Sequence, residues 1–357
     1  MPERLAAKIL DVLRQVAPGM PLRDGLDRII QGSKGALIVV GDGPNVLSIC
    51  SGGFLLDAAY SPQRLQELSK MDGAIILAAD ASRIARANVH LVPDPSVPTS
   101  ETGTRHRTAE RVARSIDVPV IAVSEDMSVI TVYVSDTKAV LQPPTDIVFR
   151  ANQALQTLER YRHRLDEVRA TLSALEVEDL VTLRDMVAVL QRTEMVRRIA
   201  SEIELDIIEL GIQGRLVQLQ LLELMAGVED DRRFLIKDYF HEETSWHLEE
   251  SLAALDALNS ESLLDLARVA IVLHIPDSTL DLDVSVTPRG YRLLSHIPRL
   301  PESIVERVVA HFGSLPKIMR ATIEDLEEVD GVGDVRARAI KDGLARLTES
   351  TILGRYG

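Results

Sequence analysis

Residues 71–123 read MDGAIILAADASRIARANVHLVPDPSVPTSETGTRHRTAERVARSIDVPVIAV. Three apolar runs in it, AIILAA (74–79), NVHLV (88–92) and VPVIAV (118–123), are short and bounded by Gly, Asp, Asn or Pro, which predicts strands. Between the last two runs lies a Pro-punctuated loop, followed by a helical stretch over 104–116. Strands mixed with helices in this way predict an α/β layer domain with a mixed sheet. The flanks extend the pattern. ALIVV (36–40), NVLSI (45–49) and SVITVYV (128–134) read as further strands, with Gly41-Asp42-Gly43-Pro44-Asn45 forming a hairpin. Helices are expected before Ala17, at 22–31 and at 62–70. Ser61-Pro62 starts the last of these, with Ser as N-cap and Pro at the first helical position.

At 357 residues the chain is long enough for two or three domains. An apolar content of 46% with 26% charged residues is that of a soluble globular chain. A single Cys excludes a disulfide scaffold and any Cys-based zinc site, and suits a reducing cytosol. No apolar run reaches the length of a membrane span, and the N-terminus is amphipathic and partly acidic, unlike a secretion signal. A cytoplasmic protein is expected. With five Phe, one Trp and six Tyr, base stacking on aromatic platforms is disfavoured. A net charge of −14 confines any DNA contact to a local patch.

Beyond Pro143-Pro144 the pattern changes. Apolar residues recur at three- and four-residue steps (Leu155, Leu158, Leu165, Val168, Leu172), which predicts an antiparallel helical bundle over 146–287. The stretch from Glu178 to Ala226 has no proline and holds room for a helix of about 30 residues, kinked or broken near Gly211 and Gly214. The expected domains are thus 1–145 (α/β), 146–287 (helical) and 288–357 (helical pairs). His241 and His247, around Glu242, Glu243 and Trp246, are read as solvated or structural.

In the last block, Leu326–Leu347 reads as a helix, a tight Asp330-Gly331-Val332-Gly333 turn and a new helix from Asp334. The two glycines allow positive φ and close approach of a ligand. The turn exposes the N–H groups and positive dipole end of the next helix, a device for phosphate. Arg336, Arg338, Lys341 and Arg346 add charge. Such contacts hold a nucleic-acid backbone without reading sequence. This stretch resembles the helix-hairpin-helix family of DNA-binding motifs, with Val329, Gly331, Val332 and Gly333 in the turn and Ala337 and Ile340 on the packing face. Gly331, Gly333, Arg336, Arg338 and Lys341 are the expected DNA contacts. A degenerate second copy is read at 294–312, with Pro298 and Pro301 near the expected glycines. Proline has no N–H to give a phosphate, so this copy is structural.

Two elements of the first block carry chemistry. Asp72-Gly73-Ala74 sets a carboxylate and a glycine before an apolar strand, which suits a divalent cation completing its shell with water and substrate phosphates. Thr104-Arg105-His106-Arg107-Thr108 opens a helix, with Thr102 or Thr104 as its cap, free N–H groups, two forked cations and two hydroxyls. Together they predict a nucleoside triphosphate site. It is neither a P-loop nor a Rossmann site, because both glycine fingerprints are missing.

These two motifs resemble the DGA and RHR motifs of the diadenylate cyclase family. With the helical middle and the last block, the chain is similar throughout to the branch of that family that ends in a helix-hairpin-helix domain and serves as a DNA-integrity checkpoint. The resemblance implies condensation of two ATP to cyclic di-3′,5′-AMP with release of two pyrophosphates. It makes Asp72, Arg105, His106 and Arg107 catalytic, with Asp72 binding Mg²⁺ or Mn²⁺. It sets Gly73, Leu91, Thr104, Arg105, His106, Arg107, Thr108 and Ser124 around ATP. It implies an octamer with facing N-terminal domains, branched DNA at the C-terminal tips and nucleoid association. A non-catalytic, ATP-sensing DNA-binding scaffold is the alternative. A repair nuclease or glycosylase lacks support: no two-metal carboxylate cluster is evident, and no lysine follows the Gly331–Gly333 hairpin where a bifunctional glycosylase needs one.

Overall fold

The computed structural model describes residues 2–239, 248–272 and 281–356. The His241–His247 group lies outside them. The chain divides into two compact units. One comprises residues 1–153 with 203–219; the other comprises 154–202 with 220–357.

The first unit is an α/β sandwich. Its elements are α1 (Pro2–Gln15), α2 (Pro21–Gln31), β1 (Ala36–Val40), α3 (Pro44–Ser48), β2 (Cys50–Ser51), β3 (Phe54–Ala59), α4 (Pro62–Leu68), β4 (Ala74–Leu77), β5 (Arg83–Leu91), α5 (Thr104–Ile116), β6 (Val120–Val123), β7 (Ile130–Val134) and β8 (Thr137–Leu141). The strands lie in the order β2-β5-β4-β1-β6-β7-β8, with β3 also on β5. β1 runs parallel to β4 and antiparallel to β6, so the sheet is mixed. Alternate residues of β1 face opposite layers. Ala36, Ile38 and Val40 pack with α1 and α2, whereas Leu37 and Val39 pack with Ala109, Val112 and Ala113 of α5. Both faces are covered, so the central strands are apolar without a break. The Ser61 hydroxyl accepts from the Arg64 N–H at the start of α4, with Pro62 at its first position.

Three parts of the sequence reading are corrected here. NVLSI does not form a strand and no hairpin joins it to β1. Both edges of β1 are already taken by β4 and β6, and Pro44, with no N–H for a ladder, starts the short helix α3 behind Gly43. β5 starts at Arg83, earlier than expected. β2, β3 and β8 carry no clean apolar alternation and were not predicted.

The helical stretch follows as α6 (Pro144–Glu178), α7 (Leu183–Leu210), a 3₁₀ turn (Gly211–Gly214), α8 (Arg215–Leu224), α9 (Val228–Tyr239), α10 (Leu248–Ala257), α11 (Ser260–Leu264) and α12 (Leu266–Ile271). α7 ends at Gly211, whose φ of +52° and close approach to Ala17 and Pro18 exclude a side chain. The C-terminal elements are α13 (Tyr291–Ser295), α14 (Glu302–Phe312), α15 (Leu315–Arg320), α16 (Ile323–Glu327) and α17 (Asp334–Tyr356). No described helix is long and apolar enough to cross a membrane.

In the second unit, α13 is bound to the helical stretch by a buried polar cluster. Asp238 of α9 accepts from the backbone N–H groups of Gly290, Tyr291 and Arg292 at 2.7, 2.6 and 2.9 Å, capping α13. The fully buried Arg292 guanidinium pairs with Glu176 of α6 and donates to the Ser173 hydroxyl at 2.9 Å. The Tyr239 hydroxyl donates to the same Glu176 at 2.7 Å. Burial, with Glu176 beside it, pushes the Asp238 carboxyl up to about 7. Removing one partner of a buried pair leaves an uncompensated charge. Arg292→Met is therefore expected to lower the stability of this unit by about 3–5 kcal/mol, and Arg292→Met with Glu176→Leu to recover much of it, as read by chemical unfolding.

Candidate functional site

Register brings most of the first set of candidates to one end of the sheet. Leu37 of β1 pairs with Ala74 of β4, so Gly35 and Asp72 stand at the same step before two neighbouring parallel strands. Ala36 pairs with Val123, which puts Ser124 beside them, and Ala74 pairs with Val89 near the end of β5. The Asp72 side chain is exposed and forms no ion pair among the described residues; its carbonyl accepts from the Asn88 side-chain amide at 2.6 Å. Gly73 has φ +95°, and a Cβ there would come within 2.9 Å of the Asn88 and Val89 backbone. The glycine is thus already required by the fit of β4 against β5.

The N-terminus of α5 reaches the same end. Its cap is Gly103, and neither Thr102 nor Thr104 supplies the side-chain cap bond expected from sequence. The Arg107 N–H donates to the Gly103 carbonyl, which leaves the N–H groups of Thr104, Arg105 and His106 ahead of the helix ladder. The Arg105 guanidinium lies against Gly35, where an added Cβ would collide with Nη1. Neither Arg105 nor Arg107 forms an ion pair among the described residues. The Thr108 hydroxyl donates back to the Thr104 carbonyl at 3.0 Å.

The loop before α5 is pinned to it. Glu110 accepts from the Thr99 hydroxyl and the Ser100 N–H, while Arg111 and Arg114 donate to the Val97 and Pro98 carbonyls. Glu101 accepts from the Tyr133 hydroxyl of β7 at 2.9 Å and from Lys138 of β8, and the Lys138 ammonium holds its carboxyl below the usual range. His106 Nδ1 lies 2.9 Å from the Tyr133 hydroxyl. His106 therefore faces inward, away from the outward set of Arg105 and Arg107. Leu91 also points inward, 6% exposed in the core under α5. The Ser124 hydroxyl accepts from the Met127 N–H at 3.3 Å in the turn after β6.

Gly35, Glu101, Tyr133 and Lys138 escaped the sequence reading. One signal was present: a tyrosine in the β-branched strand ITVYV needs a partner for its hydroxyl once buried.

The second set of candidates lies in two helix–turn–helix pairs that share one backbone pattern. The Ile297 and Val329 N–H groups donate to Leu294 and Leu326, the Leu300 and Val332 N–H groups to Ile297 and Val329, and the Val305 and Ala337 N–H groups to Pro301 and Gly333. Gly331 at φ +80° corresponds to Arg299 at φ +64°, and Gly333 to Pro301. Pro298 thus stands opposite Asp330, not opposite a glycine. Among the described residues nothing approaches within 4 Å of a Cβ at Gly333. Arg336 donates to the Gly331 carbonyl and Arg338 pairs with Asp334 at 2.6 Å, both exposed. Lys341 differs: its ammonium donates to the Met319 and Ala321 carbonyls at 2.9 and 2.8 Å, closing the end of α15. Val329, Val332, Ala337 and Ile340 are buried in the shared core.

Residues 23–138 match the family model described as DisA bacterial checkpoint controller nucleotide-binding, and residues 141–281 match the DisA bacterial checkpoint controller linker region. Proteins named DNA integrity scanning protein DisA are similar along nearly the whole chain. That of Streptomyces coelicolor is 54% identical over 96% of this chain and 93% of its own, and that of a Parafrankia species 55% identical over 96% of both. That of Kineococcus radiotolerans is 54% identical over the full length of both chains. The chain belongs to the DisA family. Its α/β unit carries the nucleotide-binding domain of DisA proteins, and the sheet end described above lies within the matched residues. Gly35→Ala is expected to push the Arg105 guanidinium aside and weaken nucleotide binding about ten-fold, with the circular dichroism spectrum unchanged; titration calorimetry checks this.

Proposed function

We propose that this chain is a diadenylate cyclase that condenses two ATP into cyclic di-3′,5′-AMP and couples this to sequence-independent binding of branched DNA. The observation that carries the reading is Arg105 lying on Gly35, with Gly35 and Asp72 each two residues before the first paired residues of the neighbouring strands β1 and β4. A carboxylate and a helix N-terminus with two outward arginines then face one triphosphate, Arg105, Arg107 and the free N–H groups taking its phosphates. Gly73, Thr104, Thr108 and Ser124 border the same space, and Leu91 packs in the core behind it.

Among the described residues no cluster of three metal-ligating side chains occurs. A single exposed carboxylate fits Mg²⁺ or Mn²⁺, which take one or two protein carboxylates and fill the shell with water and substrate phosphates. Asp72 would hold the ion. Bound there, it would neutralise phosphate charge and favour ionisation of the ribose 3′-hydroxyl.

Each half-reaction is an in-line displacement. The 3′-oxygen of one ATP forms a bond to the α-phosphorus of the other, the bond to pyrophosphate breaks, and the hydroxyl proton leaves to water. Catalysis is chiefly positioning and charge neutralisation. A symmetric product follows when two such units face each other across a two-fold axis. Exposed apolar side chains support self-association: Phe54 and Leu55 on β3, and Ile212, Leu216 and Leu219 at helical spacing. An octamer satisfies this requirement. The open Gly333 turn with exposed Arg336 and Arg338 supports phosphate contact, and we assign the paired units to the helix-hairpin-helix class. A cytoplasmic, nucleoid-associated DNA-integrity checkpoint is the role that joins the two activities.

Incubation with ATP and Mg²⁺, followed by assay of pyrophosphate and mass analysis of the nucleotide, tests the reaction. Pyrophosphate and cyclic di-AMP support it; bound, unconsumed ATP leaves a nucleotide-sensing DNA scaffold. Asp72→Asn is expected to abolish the product while the elution volume on gel filtration is unchanged. Gly333→Val with Arg336→Ala is expected to weaken DNA binding about equally for all sequences and to flatten its salt dependence, read by fluorescence anisotropy.

A further inference from the structure

We propose that His106 works as a neutral hydrogen-bond acceptor, held in its Nδ1–H tautomer by a relay through Tyr133, Glu101 and Lys138, and that Tyr133 and Glu101 are thereby positioning residues of the nucleotide site. The inference rests on the assignment of that site to ATP.

The relay has one consistent direction. Lys138 donates to Glu101, so Glu101 is a carboxylate and can only accept. The Tyr133 hydroxyl donates its one hydrogen to Glu101 at 2.9 Å. Its oxygen is then an acceptor toward His106 Nδ1, 2.9 Å away, and Nδ1 must carry the hydrogen. Nε2 is left with a lone pair. It is shielded from solvent and has no hydrogen-bond partner among the described residues. A buried polar atom without a partner calls for a ligand or an ordered water. Because Nε2 offers a lone pair, its partner must bring a hydrogen, as a ribose hydroxyl or a bound water does. A phosphate oxygen cannot serve.

The surroundings oppose a charged ring. Burial holds the His106 imidazole below its ordinary range, as do Lys138 and Arg105, against the opposing Glu101 carboxylate. Glu110, on the same helix, is the other charged group near the Tyr133 end of the relay. The sign for binding follows. If the neutral ring is the competent form, the contribution of His106 to ATP affinity persists at neutral and alkaline pH. It is lost as pH falls through the lowered imidazole value. A cationic phosphate ligand would behave in the opposite way.

The test is calorimetric ATP binding to the full-length wild type, His106→Ala, Tyr133→Phe and the double variant, between about pH 5 and 8. The ratio of wild-type to His106→Ala affinity cancels the titration of ATP itself. We expect that ratio to be about ten at neutral pH and to decline toward one on the acid side only. Tyr133→Phe, which keeps the packing of β7, should lose a similar factor, and the double variant no more than either single variant. Repetition with 2′-deoxy- and 3′-deoxy-ATP separates the two donors. A ribose hydroxyl is indicated if one analogue removes the His106→Ala penalty, and a bound water if the penalty persists. A ratio that grows as pH falls overturns the proposal in favour of an imidazolium on phosphate. A ratio near one throughout, or additive losses in the double variant, overturns it as well. Failure of the wild type to bind ATP at all would instead remove the cyclase reading, a distinguishable result.

Discussion

The site depends on one constraint, the saturation of β1. Ala36–Val40 carries no polar side chain and is hydrogen-bonded along both edges, parallel to β4 on one side and antiparallel to β6 on the other. The parallel pairing sets the beginnings of β1 and β4 level, so Gly35 and Asp72 each stand two positions before the same paired step although 37 positions separate them in sequence. The antiparallel pairing adds the end of β6 to the same place. α5 then needs only to cross this end for Arg105 to lie on Gly35. A register slip of one residue would turn the β1 side chains to the opposite layers and part these groups.

Much of the α/β unit was legible because its physics is local. Short β-branched runs, Ser61-Pro62 and the polar opening of α5 announce themselves in the sequence. NVLSI misled because a short apolar run beside Gly-Pro fits a strand or one helical turn equally, and only the occupied edges of β1 decide between them. FLLDAA, in β3, has its largest apolar residues exposed, with Leu55 at 71%, so no buried face marks it.

The site shows the same division. Asp72 and the Thr104–Thr108 stretch were visible as chemistry at strand and helix starts. The inward turn of His106 was not, since it depends on Tyr133 and Glu101, distant in sequence from one another. Nor was the role of Lys341, which reads as one more cation on α17 but closes the end of α15. In the C-terminal elements the second copy was read from Pro298 and Pro301 near the expected glycines, whereas Arg299 in left-handed φ could only be seen in the backbone. The buried cluster of Arg292, Glu176 and Asp238 gave no sequence signal, because three charged residues far apart look like surface until they meet.

The central claim is that a carboxylate at the start of β4 and the first turn of α5 close on one triphosphate. A crystal structure of the chain with a non-hydrolysable ATP analogue and Mn²⁺ tests it most directly, the anomalous signal of the metal marking the cation. The account predicts metal density against Asp72, and phosphate oxygens within hydrogen-bond distance of both Arg105 and the N–H groups of 104–106. A triphosphate bound to one element alone, with Asp72 facing solvent and no metal beside it, would contradict it.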